Sequence, residues 1–266
     1  MSTTPQNPTF AIVTCGCKVN QYESEAIAEA LEATGWTQRP SFHACDLYVV
    51  NTCTVTAESD RKARQIIRRF IGKRPDAFMV VTGCSAQARA RDIASIPGVD
   101  AVIGNREKLR VVAIAQALLA AGQKAASPIV EVSPLEGAAF EPMSITRFGR
   151  ARAYVKIEDG CESRCAYCAI PAARGPIRSK PMADVVAEVR ALTEGGCREE
   201  RAGLRNSAKR IQGSQPLHLR VAQLSSDKPA SYGARKPLRR GKGISGKAFR
   251  FAEDAPFRGH RGRRLQ

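Results

Sequence analysis

The order of apolar and polar positions near the start of the chain predicts a strand followed by a helix. Residues 9–17, "TFAIVTCGC", form a short apolar run that is rich in strand-forming residues. After a polar turn, apolar residues recur at the three- and four-residue spacing of a helix, at Ala26, Ile27, Ala30 and Leu31. Gly35 ends this helical pattern.

The same order of strand, turn and helix occurs twice more. "DLYVVNTC" (46–53) leads into a helical pattern over 56–75, and "AFMVVTGC" (77–84) leads into another over 85–98. Strands that alternate with helices of this length predict an α/β fold with a mostly parallel sheet. In such a sheet the carboxyl ends of the strands lie at one edge, where ligands usually bind.

The pattern divides the chain into an N-terminal domain, a linker and the start of a second domain. A further strand and an amphipathic helix complete the predicted first domain, 9–124, and residues 125–150, with three prolines and little periodicity, are expected to be a linker. Residues 151–200 supply one strand, a cysteine-rich loop and one helix. The apolar face of that helix is formed by Val185, Val186, Val189 and Leu192. No second strand that could receive a crossover is recognisable beyond Gly196.

The formal charge of +17 is concentrated at the C-terminal end of the chain. Residues 1–197 hold 24 Lys and Arg against 20 Asp and Glu, whereas residues 198–266 hold 18 against 5. In the latter segment only 12 of 69 residues are Leu, Ile, Val or Phe, too few to form a core at this charge, which predicts disorder over 201–266. The segment is expected to be either a shifted reading frame or a basic arm that binds RNA or DNA.

Three cysteines within residues 160–170, "GCESRCAYCAI", have the spacing C-x3-C-x2-C at Cys161, Cys165 and Cys168. Structural zinc usually requires four ligands, and the next cysteine is 29 residues further on, so zinc fits poorly. Three thiols cannot all pair in disulfides. An iron-sulfur cluster fits better, because a cluster held by three thiolates keeps one iron open to another ligand. The remaining alternative is that the three cysteines are incidental and hold no metal.

A second group of three cysteines is spread over the first domain. Cys17, Cys53 and Cys84 each follow one of the three predicted strands, so a parallel sheet would bring them to one edge. A shared metal site is favoured over unrelated core thiols, and three thiolates again leave one iron open. The other three cysteines are expected to be ordinary thiols: Cys15, Cys45 and Cys197.

The chain is expected to be cytoplasmic and not to bind a membrane. It opens with a short polar stretch, 1–8, without the apolar region of a secretion signal. No apolar run approaches the length that a bilayer span needs.

Four separated motifs resemble those of the radical S-adenosylmethionine (SAM) methylthiotransferases. They are "GCKVNQYESE", "NTCTVTAESDRKARQ", "TGCSAQ" and "YVKIEDGCESRCAYCAIPAARGPIRS". They occur in the family's order, and the resemblance extends over about residues 9–200. The wording "KVNQYESE" and "TVTAESDRKARQ" is most similar to the branch that acts on N6-threonylcarbamoyladenosine at position 37 of tRNA.

The resemblance implies two four-iron four-sulfur (4Fe-4S) clusters and SAM as cofactors. Cys161, Cys165 and Cys168 would hold the cluster that binds SAM, and Cys17, Cys53 and Cys84 would hold an auxiliary cluster that carries the sulfur to be inserted. In the family, cleavage of SAM gives a radical that removes hydrogen from carbon 2 of the adenine, and a methylthio group replaces it. tRNA, an electron donor and a sulfur source are the implied partners.

Three further residues are candidates for contacts with SAM or RNA. Arg174 and Arg178, just after the cysteine loop, are expected to bind the SAM carboxylate or an RNA phosphate, or else to be solvated. Tyr167 resembles the aromatic residue that packs beside SAM, with simple packing as the alternative.

The family pattern stops near residue 200, and the rest of a partial (β/α) barrel is not recognisable in the tail. The enzyme is therefore expected to be truncated or frame-shifted. Because the missing strands would form most of the SAM pocket, loss of activity is one expected consequence. The alternatives are a basic nucleic-acid-binding protein and an iron-sulfur electron-transfer protein.

Overall fold

The computed structural model describes residues 7–54, 56–149, 153–163, 165–197 and 200–203. The strands are β1 (Thr9–Thr14), β2 (Thr37–Gln38), β3 (Leu47–Thr52), β4 (Phe78–Gly83), β5 (Ala101–Ile103), β6 (Ile129–Glu131), β7 (Ala153–Lys156), β8 (Glu158–Asp159), β9 (Arg178–Ser179) and β10 (Glu200–Gly203). The helices are α1 (Lys18–Ala33), α2 (Ala57–Lys73), α3 (Cys84–Ala88), α4 (Ala90–Ala94), α5 (Arg110–Ala121), α6 (Ile170–Arg174) and α7 (Met182–Glu194).

Six strands form one parallel sheet in the order β2-β1-β3-β4-β5-β6. The predicted α/β class with a parallel sheet is confirmed. β1, β3 and β4 are immediate neighbours, and their register pairs Thr14 with Asn51 and Thr52 with Gly83. The carboxyl ends of these three strands therefore lie side by side at one edge.

Both faces of the sheet are covered, which explains the continuous apolar runs of β3 and β4. Val49 and Val80 face one core, where α1, α5 and α7 contribute side chains. Val50 and Val81, one position further along, face the opposite core, where α2 and α4 contribute Ile67 and Ile93. Successive residues of a strand point to opposite faces, so each strand supplies both cores.

Two predicted elements differ from the structure. The helix expected over 85–98 is two short helices, α3 and α4, separated at Arg89, whose φ of −139° and ψ of 44° are not helical. The expected linker contributes β6, which pairs in parallel with β5. The three residues of β6 are partly buried or exposed at the sheet edge. β6 therefore has no run of buried apolar residues, which is the pattern that identifies β3.

The second strand that sequence patterns failed to show is present. β10 pairs in parallel with β7, and α7 lies between them in the chain. Its sequence, "ERAG", has no apolar run, so the strand is evident only from its backbone pairing. Val189 and Leu192 of α7 are buried as expected, whereas Val186 is 36% exposed. The expectation of disorder is wrong for 201–203, which belong to β10, and 204–266 lie outside the described residues.

The helices of the described ranges include none that is long and apolar enough to cross a membrane. How the chain divides into domains stays a prediction.

Candidate functional site

The first group of cysteines lies where the sheet predicts. Cys17 directly precedes α1, Cys53 directly follows β3, and Cys84 is the first residue of α3, directly after β4. Cys53 and Cys84 are buried, and Cys17 is half-buried. The three cysteines, up to 67 positions apart in sequence, thus lie at the carboxyl ends of three adjacent strands.

Two buried asparagines fix the shape of this edge. The amide of Asn20 donates to Asn51 Oδ1 and to the carbonyl of Thr52, both at 2.9 Å. The Cys17 thiol donates to Asn20 Oδ1 at 3.1 Å. Asn51 Nδ2 in turn donates to the carbonyl of Asn20 at 3.0 Å. These bonds connect the start of α1 to the end of β3, and so they position Cys17 relative to Cys53.

Gly16 permits a close approach between the same two cysteines. Its φ is +141°, and a Cβ added there would lie 2.7 Å from Cys53 Cβ and 3.1 Å from Cys53 Sγ. A side chain at this position would therefore push the turn away from β3. Glycine lets the backbone before Cys17 lie directly against Cys53.

The second group of cysteines lies on the loop between β8 and α6. Cys161 and Cys168 are half-buried and Cys165 is exposed. The backbone N–H of Cys161 donates to Gly175 O at 2.9 Å, and that of Cys168 donates to Cys165 O at 2.9 Å. The loop is therefore attached to the segment that follows α6.

Gly160 allows this attachment. Its φ is +91°, and an added Cβ would lie 2.0 Å from the carbonyl oxygen of Pro176. That distance is well inside van der Waals contact, so only glycine fits at this turn.

The thiols are not arranged as a preformed metal site. In the ranges that the structure describes, no three His, Cys, Asp or Glu side chains converge closely enough to hold a metal ion. None of the nine cysteines, all of which are described, is in a disulfide. The donor chemistry of both groups, three thiols each, nevertheless fits iron-sulfur clusters, which are held by thiolates.

The other three cysteines are buried or partly buried against apolar side chains. Cys45 is buried in the apolar core beside β3, and Cys15 and Cys197 are partly buried against apolar side chains. Burial, and secondarily the neighbouring Cys53, raises the pKa of Cys15 to about 11. Cys15 is thus a neutral thiol at neutral pH.

The Arg174 side chain is fully buried, and its two terminal nitrogens are paired with carboxylates of the chain. Its Nη1 lies 2.8 Å from Glu23 Oε1 and 2.9 Å from Asp159 Oδ1, and Nη2 lies 3.2 Å from Glu23 Oε2. The alternative of a solvated side chain is therefore wrong for Arg174. A contact of Arg174 with SAM or an RNA phosphate stays a prediction.

Arg178 and Tyr167 have contrasting surroundings. Arg178 is mostly buried, and its Nη2 donates to Arg174 O at 3.0 Å, so it is not a solvated group either. Tyr167 is 91% exposed, which excludes simple packing within the described chain. The roles of Arg178 and Tyr167 toward SAM stay predictions.

Arg174 is part of a buried ion network that sequence patterns did not reveal. Lys108 Nζ lies 3.1 Å from Glu23 Oε2, and Lys156 Nζ lies 3.1 Å from Glu23 Oε1 and 3.4 Å from Asp159 Oδ2. We use the name buried ion network for these five residues, Glu23, Lys108, Lys156, Asp159 and Arg174. All five are nearly or fully buried. They join α1 to β7, β8 and α6.

The charges of the network set the ionisation of its members. Burial raises the pKa of Glu23, but Arg174, Lys108 and Lys156 outweigh it and hold the pKa well below its ordinary value. Burial also opposes ionisation of Asp159, yet Arg174 and Lys156 bring its pKa to about 2. Both carboxylates are therefore ionised at neutral pH.

Comparisons with known proteins agree with the motifs. Residues 9–104 match the family described as "Uncharacterized protein family UPF0004". The chain is 39% identical over 193 residues to "Threonylcarbamoyladenosine tRNA methylthiotransferase MtaB" of Bacillus subtilis (strain 168), covering 72% of this chain and 42% of the relative. It is 40% identical over 175 residues to the MtaB of Thermotoga maritima, covering 65% of this chain and 38% of the relative.

A relative with a different stated substrate is also similar. "Ribosomal protein uS12 methylthiotransferase RimO" of Chloroflexus aurantiacus is 33% identical over 202 residues, covering 71% of this chain and 44% of the relative. The chain thus spans less than half the length of each of these proteins. The radical SAM methyltransferase TsrM of Kitasatospora setae superposes with a TM-score of 0.49 at 18% identity, over 75% of this chain and 48% of that chain, which is too weak to support an argument. The predicted resemblance to methylthiotransferases is confirmed.

Proposed function

We propose that this chain, a relative of the radical SAM methylthiotransferases, methylthiolates carbon 2 of N6-threonylcarbamoyladenosine at position 37 of tRNA. One observation carries the proposal: Cys17, Cys53 and Cys84 follow three adjacent parallel strands at one edge of the sheet. The reaction requires an electron donor and a source of sulfur as further partners. A tRNA substrate also implies the cytoplasm.

In this proposal the two groups of cysteines hold two 4Fe-4S clusters. Cys161, Cys165 and Cys168 would hold the SAM-binding cluster, and Cys17, Cys53 and Cys84 the auxiliary one. When bound, the clusters and SAM supply electron transfer, radical formation and sulfur, the chemistry that protein side chains lack. A thiolate trio leaves one iron of each cluster open for SAM or sulfur.

The residues of the chain position these ligands and limit access of water. Burial of Cys53 and Cys84 keeps water from the auxiliary site, while Asn20 and Gly16 position Cys17 against Cys53. The exposed Cys165 and Tyr167 face solvent, where SAM and a large RNA can reach the loop.

The choice of tRNA over a protein substrate rests on sequence. Relatives named for threonylcarbamoyladenosine tRNA reach 39% and 40% identity, and the one named for ribosomal protein uS12 reaches 33%. The stretches "KVNQYESE" and "TVTAESDRKARQ" also favour the tRNA branch. Because a uS12 relative aligns over a similar share of the chain, uS12 is the second candidate substrate.

Mass spectrometry of tRNA nucleosides and of uS12 tests the substrate. Cells that lack the gene should contain N6-threonylcarbamoyladenosine without its methylthio group, and expression of the full chain should restore the modification. Cys53→Ala should fail to restore it, whereas Cys45→Ala, which alters an equally buried thiol away from the strand ends, should succeed. Unmodified tRNA together with methylthiolated uS12 would assign the chain to the second substrate, and no change in either would refute the proposed activity.

A further inference from the structure

One buried hydrogen-bond donor near the two groups of cysteines has no partner. Six buried side-chain nitrogen or oxygen atoms of the described residues lack a hydrogen bond, and Nε of Arg174 is the only nitrogen among them. Nη1 and Nη2 of the same guanidinium are occupied by Glu23 and Asp159. A buried N–H without an acceptor costs free energy, so such a group indicates a missing acceptor.

The position of Arg174 places it beside both groups of cysteines. It ends α6, which packs against α3, the helix that begins at Cys84. The next residue, Gly175, accepts the hydrogen bond from the Cys161 backbone N–H at 2.9 Å. Arg174 therefore ends a helix that contacts the helix beginning at Cys84 and is followed by the residue that binds the Cys161 loop.

The charge of the buried ion network points to an anion at the same place. Three cations of the network, Lys108, Lys156 and Arg174, face only two carboxylates. Arg178 adds a fourth positive charge, 3.6 Å from Asp159 Oδ2. Glu141 also lies near the lysines, but burial raises its pKa to about 7, so it does not supply a full negative charge at neutral pH. Excess charge in a buried site is unfavourable unless an opposite charge compensates it. A four-iron core held by three thiolates is an anion of the required sign.

We propose that Arg174 is a positioning residue of the auxiliary cluster, donating its Nε–H to a sulfur of the site formed by Cys17, Cys53 and Cys84. The inference rests on the proposed function, because it needs a cluster at these cysteines. Arg174 also keeps the loop of the other cysteines next to that site through Gly175. One side chain thereby connects the auxiliary cluster to the radical SAM unit.

Isotope labelling of arginine tests this bond in the unmodified side chain. The full chain is produced with 15N at arginine Nε, in a form with Cys161, Cys165 and Cys168 changed to Ala so that only the auxiliary cluster forms. After anaerobic reconstitution and reduction, pulsed electron paramagnetic resonance detects nitrogen nuclei that are hydrogen-bonded to the cluster. The inference predicts a 15N coupling from arginine, and the absence of any such coupling in an iron-loaded protein would overturn it.

Two lysine variants show which arginine gives rise to the 15N coupling. Arg174→Lys keeps the positive charge but has carbon at the ε position, so the coupling should disappear and the reduction potential of the cluster should fall. Arg178→Lys, four residues further on, is the matched control and should retain both. A coupling that persists in Arg174→Lys would overturn the inference. Failure of Cys17, Cys53 and Cys84 to bind iron at all would overturn both the inference and the proposed function, and is recognised by the lack of colour and of iron.

Discussion

Glu23 and Arg174 lie 151 positions apart in sequence, yet Glu23 Oε1 and Arg174 Nη1 are 2.8 Å apart and both side chains are fully buried. The pair joins α1, which follows the first strand of the sheet, to α6, which follows the cysteine loop. A buried ion pair thus connects the helix that follows Cys17 to the helix that follows the cysteine loop. The contribution of this ion pair to the free energy of unfolding can be measured with variants.

Removal of the Glu23 charge should destabilise the protein strongly. Glu23→Gln leaves Arg174, Lys108 and Lys156 with one carboxylate among them, and loss of one partner of a buried ion pair costs about 3–5 kcal/mol. Urea denaturation measures the change in the free energy of unfolding. Glu58→Gln, which breaks an exposed ion pair with Arg61 on α2, is the control and should have no measurable effect. Equal stability of the two variants would show that the buried network does not act as described.

Glu141 should make stability depend on pH. Burial raises its pKa from 4.5 to about 7, so its contribution to stability is present below the unfolded pKa and is lost as pH rises toward 7. Glu141→Gln cannot ionise, and its oxygen can still accept from the Leu109 N–H. The variant should therefore gain about 2–3 kcal/mol over wild type between pH 4 and pH 8. Urea denaturation of both proteins between pH 4 and pH 8 measures this gain. A difference in the free energy of unfolding that does not depend on pH would contradict the prediction.

Gly16 should be required for the auxiliary site. Gly16→Ala places a Cβ 2.7 Å from Cys53 Cβ at a φ of +141°, so the turn must move away from Cys53. We expect the free energy of unfolding to fall by about 1–3 kcal/mol. Iron analysis after reconstitution should show loss of about four of eight irons.

Gly72→Ala is the matched control for this change. Gly72 lies in α2 with nothing within 4 Å of an added Cβ, so alanine should stabilise the helix by about 0.5–1 kcal/mol and leave the iron content unchanged. Full iron loading of Gly16→Ala would show that Cys17 does not need to approach Cys53.

The sheet and its row of cysteines could be predicted because their signals are local. β3 and β4 are buried on both faces, so each begins with four apolar residues, and Cys53 directly follows the first of these strands. Parallel pairing then fixes which ends of the strands meet. Short edge strands have no such signal: β10 reads "ERAG" and was not predicted.

The buried ion network could not be predicted because its contacts are distant in sequence. Glu23 stands among polar residues of "NQYESE", which a helical pattern assigns to solvent. Its burial depends on Lys108, Lys156 and Arg174, which come from three other segments. For the same reason Arg174 was expected to bind an external anion, although its partners are carboxylates of the chain itself.

Iron and sulfide content per polypeptide after anaerobic reconstitution tests the central claim, that two groups of three cysteines hold two clusters. The full chain should bind about eight irons and eight sulfides, and replacing either Cys17, Cys53 and Cys84 or Cys161, Cys165 and Cys168 by Ala should leave about four of each. Replacing Cys15, Cys45 and Cys197 should leave the content unchanged. Binding of zinc in place of iron, or full iron content after loss of either group, would contradict the account.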